Sequence, residues 1–451
     1  MSPARRELGV VWRLAWPLII TQVAFMMLGV VDVLLLGRVS VAAIDAVSLA
    51  NMWGWATMSL GMGVVMGMDP LVSQAFGDGD REGAALALQR GLVVSAIVGI
   101  PVAGSLAVTG PVLRALGQDH EIAALAQQYN ALRAVSIPFF LAFTALRSWL
   151  AGRNLVAPAM WLAVAMNVLN AGLGWALIFG RLGFPRLELV GAAIVATVVA
   201  IAEPLALVLV IRLADLHRDA WRPWDRRSFE LAGLWQIARI GFPTGLQMSF
   251  EGSAWSLAAV MAGWVSVSAL AAHTIVLNMI ALWFQVPLGI SLAAAVRVGN
   301  LLGARDLEGA RVSGTVSLGL GASVMLIAAA AFIVFRQELP LIFTGDAGVV
   351  ALAAAILPIA GTFQVLDGTQ IVAGGILRGA GRTQAPAAAN LLGYYTLALP
   401  LAAFIGAPGR LELVGIWTSL LVGLLIVASL MLFWLRRTAR LPLAELRVAT
   451  T

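Results

Sequence analysis

The sequence predicts an all-α membrane protein with twelve transmembrane helices, arranged as two six-helix bundles related by a pseudo-two-fold axis along the membrane normal. Three observations predict it. Hydrophobic residues make up 61% of the chain and charged residues only 12%, about half the charged share of a soluble domain, and the mean hydropathy is +0.92. The apolar residues fall into blocks of about 20 or more, the helix length that crosses a bilayer core. Several short segments are also written twice, half a chain apart.

The apolar blocks run in order over 10–36, 44–75, 87–113, 122–150, 156–180, 188–212, 235–262, 269–300, 312–335, 349–377, 385–405 and 412–435. In lipid each can satisfy its own backbone as a helix. The longest polar break, DLHRDAWRPWDRRSFE at Asp215–Glu230, falls at the midpoint of the chain. It predicts an N-terminal bundle over 1–214, a cytoplasmic linker over 215–233 and a C-terminal bundle over 234–451. The polar stretch Ser2–Glu7 is short, and the run after it lacks a small-residue cleavage site, so it reads as a first span and not as a signal peptide.

All 29 basic residues are arginine. Even-numbered connections and the two termini hold 22 of them; odd-numbered connections hold Arg38, Arg114, Arg181, Arg186, Arg336 and Arg410, and Arg133 is read as the one clearly inside a span. The positive-inside rule then puts both termini and the linker in the cytoplasm. The same rule explains the pI of about 10.9 by basic loops, with no nucleic-acid partner. A bacterial inner membrane is the expected location.

The hexapeptide RLELVG occurs at Arg186–Gly191, between spans five and six, and again at Arg410–Gly415, between spans eleven and twelve. FGDGDREGA (Phe76–Ala84) matches LGARDLEGA (Leu302–Ala310), and Pro17 matches Pro243, both at an offset of 226. AGRNLVAP (Ala151–Pro158) echoes AGRTQAP (Ala380–Pro386). Four matches in one order at a near-constant offset predict a duplicated six-helix unit. Six is even, so both copies enter the membrane in the same direction, as parallel repeats do in secondary transporters.

Composition removes several chemistries. With no cysteine there are no disulfides, thiolate metal sites or cysteine nucleophiles. With no lysine there is no Walker A loop and no Schiff base. No HExxH or GxSxG motif is present. The chain is therefore expected not to be an enzyme and to need no cofactor; a monomer in membrane lipid is the expected form.

The informative residues are acids inside the spans, since a charge at the bilayer centre costs about 2.5–3.5 kcal/mol on insertion scales. Glu251 stands mid-span in FPTGLQMSFEGSAW, eight residues after Pro243, which can free a carbonyl. Asp367 stands among small and polar neighbours in FQVLDGTQIVAGG. Such carboxyls titrate or exchange cations, or stay protonated against a neighbouring helix. Asp32 in MLGVVDVLLLGR lies six residues before Arg38, which offers an ion pair as the plainer alternative. Glu203 precedes Pro204 and shows no partner, and Asp69 lies toward the end of span two. His273 in LAAHTIVLN is a lone histidine, a residue that more often packs than ligates.

Two six-helix halves, SQAFG after span two, LAAHTIVLN opening span eight, RVGNLLGA after it and GGILRGAGRT ending span ten together resemble the multidrug and toxin extrusion (MATE) family, in its NorM-type branch. The resemblance covers essentially the whole chain. It implies antiport, in which a cationic, often aromatic drug leaves as protons or sodium enter by alternating access. It implies a cation site at Glu251 and Asp367, where sodium is possible, and a second polar site at Asp32, with Asn170 and Thr197 matching further family positions. Two departures favour protons: Phe284 stands where sodium-coupled relatives carry a tyrosine, and Gly174 replaces the second of two paired asparagines. Each removes an oxygen that a hard cation would use. The alternative is a lipid-linked precursor flippase of the same broader superfamily, whose cavity would be rich in basic residues.

Overall fold

The computed structural model describes residues 2–218 and 220–448. Every expected span falls on helix. Span one is α1 (Pro3–Leu36). Span two is α2 (Val41–Val65), followed by a 3-10 turn and α3 (Asp69–Gly77). Span three is α4 (Arg81–Ala107) with α5 (Thr109–Ala115). Span four is α6 (His120–Ala134) with α7 (Ile137–Gly152). Then come α8 (Ala157–Phe179), α9 (Glu188–Leu213), α10 (Leu231–Val265), α11 (Val267–Gly303), α12 (Leu307–Val334) and α13 (Ala347–Gly379). Span eleven is α14 (Gln384–Asn390), a π-helical stretch over Leu391–Ala398 and α15 (Leu399–Ile405). Span twelve is α16 (Glu412–Ala439), with the short α17 (Leu443–Leu446) after it.

Among the described residues, nine helices are long and apolar enough to cross a membrane, or ten if the bent pair α6–α7 forms one span. The other two expected spans fold as α2 and α10, helices of 25 and 35 residues diluted by Trp, Gly, Ser and amide side chains. Span four differs from a straight rod: α6 and α7 meet at 53°. Pro138, in the first turn of α7, has no N–H to continue the ladder, and its ring crowds the carbonyl four residues back.

The repeated segments build the same local structures. In the two RLELVG copies the glutamate adopts a left-handed backbone, φ 48° at Glu188 and 49° at Glu412. Leu187 N–H donates to the Leu177 carbonyl at 3.0 Å, and Leu411 N–H to the Ile405 carbonyl at 3.1 Å. A Cβ on Gly191 would lie 2.9 Å from the Leu177 oxygen, and one on Gly415 2.5 Å from the Ile405 oxygen. Only glycine lets the incoming helix pass that close. Asp80 and Asp306, 226 residues apart, each cap a helix by accepting from the glycine three residues on, at 2.8 Å. Ser40 and Ser266 repeat a second cap at the same offset.

By packing, the chain forms two compact units. The N-terminal unit comprises 20–249; the C-terminal unit comprises the chain up to Ile19 together with 250–448. The dividing points fall inside α1 and α10, shortly after the matched prolines Pro17 and Pro243, so each of these helices belongs to one unit by its first part and to the other by its second. In the N-terminal unit the first part of α10 packs on α2 with almost no side chain between: a Cβ on Gly63 would sit 2.2 Å from Gly245, and one on Gly241 2.1 Å from the Val64 oxygen. Gly241 and Gly245 have small-xxx-small spacing along α10. The linker is folded onto the same unit. Gln89 donates to the Arg222 carbonyl at 2.9 Å and accepts from Ser228 at 2.7 Å, and Arg90 bonds Glu230 at 3.1 Å.

Candidate functional site

In the C-terminal unit, glycine packing fixes α13. A Cβ on Gly375 would lie 2.2 Å from the Ser291 carbonyl oxygen, and one on Gly379 2.4 Å from that of Ala295. Ser291 Oγ also donates to the Ile371 carbonyl at 2.6 Å. α13 is thus pressed onto α11, and one turn away it carries Asp367, only 3% exposed. Glu251 enters from α10, two residues past the point where that helix joins this unit, and is half-buried. Gln370 Nε2 donates to Glu251 Oε1 at 3.3 Å, and Asn390 hydrogen-bonds the same carboxyl. Glu251 and Asp367 lie within electrostatic range of each other. Among the described residues no arginine or histidine pairs with either acid; amides and a phenol surround them.

That phenol is Tyr394, fully buried on the π-helical stretch and within electrostatic range of both acids. The next residue, Tyr395, bonds Ser253 Oγ and stacks at 5.3 Å on Phe250. Sequence reasoning singled out neither tyrosine, and took Gln370 only as one of the polar neighbours of Asp367. It weighed Phe284, which is half-buried on α11, as the place of a missing hydroxyl. His273 is fully buried, with its ring 5.5 Å from that of Trp417. Neither ring nitrogen has a hydrogen-bond partner among the described residues, so it is not a satisfied packing histidine.

The N-terminal unit treats its acids differently. Asp32 is 9% exposed and accepts from Asn170 Nδ2 at 3.0 Å. The nearby cation is Arg133, not Arg38. Arg133 lies over the Tyr129 ring at 5.1 Å and donates to Asn51 Oδ1 at 2.9 Å. Asn167 turns to the Ala24 carbonyl, and Thr197 to the carbonyls of Ala193 and Leu132. Gly174 is filled from outside: a Cβ there would lie 2.6 Å from Leu35 Cδ1.

Glu203, 2% exposed, does have a charged partner. Arg147 on α7 interacts electrostatically with both Glu203 and Asp69. This corrects the arginine reading. Arg147, counted with the loops because it lies near the end of its span, is only 7% exposed inside the unit, with Gln22 accepting from it at 2.7 Å and the Phe25 ring 5.4 Å away. No group of three or more His, Cys, Asp or Glu able to hold a metal ion occurs among the described residues.

The fold and its buried acids define a polytopic helical membrane protein built on a repeated unit. The family model MatE matches residues 17–176 and again 243–404, one match per repeat with starts 226 residues apart. The chain belongs to the MatE family. Over 440 residues it is 35% identical to "Probable multidrug resistance protein NorM" of Bradyrhizobium diazoefficiens, covering 95% of this chain and 93% of that one. It is 29% identical to "Multidrug resistance protein NorM" of Vibrio vulnificus, covering 97% of each. The fold matches the crystal structure of the eukaryotic MATE transporter AtDTX14 with a TM-score of 0.89 at 20% identity, over 97% of this chain and 98% of that one.

Proposed function

We propose that the protein is a secondary active multidrug exporter, which moves organic cations and toxins out of the cell in exchange for protons or sodium by alternating access. One observation carries the reading: Glu251 and Asp367 lie within electrostatic range of each other inside the C-terminal unit, and among the described residues no arginine or histidine pairs with either. Two carboxylates in a medium of low dielectric cannot both stay charged without a counterion. The pair therefore holds a proton or a cation, and a cationic drug competes for the same negative charge. Exchange follows from that competition and needs no covalent step. Glu251, half-buried where Asp367 is buried, is the member that meets the incoming ion first. Protons are the favoured coupling ion, because Phe284 and Gly174 withhold oxygens from the matched family positions. Asp32, held by Asn170, is proposed to contribute to drug binding. The setting is a bacterial inner membrane with both termini in the cytoplasm, and the substrates are cationic aromatic small molecules.

Purified protein in liposomes, loaded with a fluorescent organic cation and given a proton gradient in sodium-free buffer, tests the reading. Gradient-dependent export is expected, and Glu251→Gln is expected to abolish it. Export by that variant at the wild-type rate overturns the assignment.

A further inference from the structure

The linker is held on the N-terminal unit by one face. On that face Ser228 is fully buried and donates to Gln89, and Gln89 donates to the Arg222 carbonyl. Arg90 donates to the Arg227 carbonyl and to Glu230, each at 3.1 Å. A Cβ on Gly233 would lie 2.1 Å from Arg90 Cζ, so the guanidinium lies against the first turn of α10. Gln89 and Arg90 are both buried on α4. These contacts form a seat, and the other face of the linker is turned outward.

That outward face is aromatic. Trp224, Phe229, Leu231 and Trp235 are all exposed, the least of them 48%, and the Trp224 and Phe229 rings lie 5.7 Å apart. Asp225 accepts from the Arg227 N–H at 3.0 Å and caps the 3-10 turn Arg226–Phe229, in which Ser228 is buried and Phe229 exposed. Leu231 and Trp235 are four apart on α10 and share one side of it. Arg226 and Arg227 are exposed in the same turn. Arg227 reaches Glu82 at 3.5 Å in an exposed pair, a weak kind of contact.

Single exposed apolar residues need no partner, but a group of them marks a contact surface. Position along the chain says which surface it meets. The linker leaves α9 at Leu213 and enters α10 at Leu231. The apolar run of that span begins at Trp235, one turn and about 6 Å further on. The headgroup layer outside the hydrocarbon core is about 5–7 Å deep on each side. Headgroup depth is where Trp is enriched and where arginine meets anionic lipid.

We propose that the linker is a membrane-surface anchor: Trp224 and Phe229 insert among the lipid headgroups beside Leu231 and Trp235, and Arg226 and Arg227 pair with the phosphates of anionic lipids. Lipid is favoured over a second protein because the patch runs on into α10, whose exposed apolar side chains themselves require lipid. The anchor does not depend on what the protein exports.

The chain has no cysteine, so a nitroxide on one introduced cysteine reports one place. Trp224→Cys, Phe229→Cys and, as an aqueous reference, Gln118→Cys are labelled in the full chain and reconstituted in phosphatidylcholine vesicles with and without phosphatidylglycerol. All three positions are exposed, so the labels displace no packing. Accessibility to oxygen, which concentrates in lipid, is compared with accessibility to a water-soluble nickel chelate. The oxygen-to-chelate ratio is expected to be severalfold higher at the two linker positions than at the reference, and to rise further with phosphatidylglycerol. Arg226→Gln together with Arg227→Gln is expected to cancel that rise. A ratio at the linker positions equal to the reference overturns the proposal, as does a ratio indifferent to phosphatidylglycerol. Spin–spin broadening at either linker label would show copies of the chain meeting at this face, and would overturn it too.

Discussion

Two units grown from one repeat handle buried acids in opposite ways. In the N-terminal unit the acids Asp32, Glu203 and Asp69 have an arginine nearby: Arg133 for Asp32, and Arg147 for Glu203 and Asp69. In the C-terminal unit Glu251 and Asp367 have each other, two amides and a phenol. The turns, caps and prolines of the two copies still match. Backbone geometry has therefore been kept while charge has diverged. A balanced acid is a structural element, whereas an unbalanced pair must take its counter-charge from outside. On the function proposed above, the difference assigns ion coupling to the C-terminal unit.

Substitutions can break or sharpen that contrast. The largest effect is expected at Glu251. Glu251→Gln should remove ion-driven export altogether while the purified protein elutes and melts like wild type, because an amide can keep the bond to Gln370 and cannot exchange a proton or cation.

Arg147→Met should act in the opposite sense. It leaves Glu203 as a buried charge without the arginine that balances it, which typically costs about 3–5 kcal/mol. Thermal unfolding in detergent should fall sharply, and adding Glu203→Gln to Arg147→Met should recover part of the loss. A variant as stable as wild type would mean that the N-terminal acids are not balanced as described.

Gly375→Val places side-chain atoms against the Ser291 carbonyl. Overpacking of this kind costs about 1–3 kcal/mol. It should lower stability and, by displacing Asp367, lower export per folded molecule as well. The smallest effects are expected at the matched caps. Asp80→Ala and Asp306→Ala should each cost about 1 kcal/mol, measurable as similar small drops in melting temperature. Unequal drops would show that the repeated turn no longer bears the same load in both units.

Much of this was legible in the sequence, for identifiable reasons. Apolar block length set the spans, and helices lie on all twelve. RLELVG and the Asp-x-x-Gly caps marked the repeat because a left-handed glutamate and a capping aspartate are local devices with local signatures. Glu251 and Asp367 stood out because an isolated acid in an apolar run is costly wherever it points. What escaped depends on partners far along the chain. Arg147 looked like a loop arginine, since nothing local says that α7 bends away from α6 and buries its end against residues about 80 and 60 positions distant. Gln370 showed only as a polar neighbour of Asp367, since its bond to Glu251 crosses to another helix, and Tyr394 gave no signal because it is an ordinary membrane residue until the π-helical stretch buries it within electrostatic range of both acids. The π-turn itself has no strong residue preference from which to read it.

The most direct test is ion-driven export of a fluorescent organic cation from liposomes by wild type, Glu251→Gln and Glu203→Gln, each normalised to folded protein. If coupling resides in the unbalanced pair, Glu251→Gln shows no gradient-dependent export while Glu203→Gln retains it. Retained export in Glu251→Gln, with loss in Glu203→Gln, would contradict the assignment and move the coupling site to the N-terminal unit.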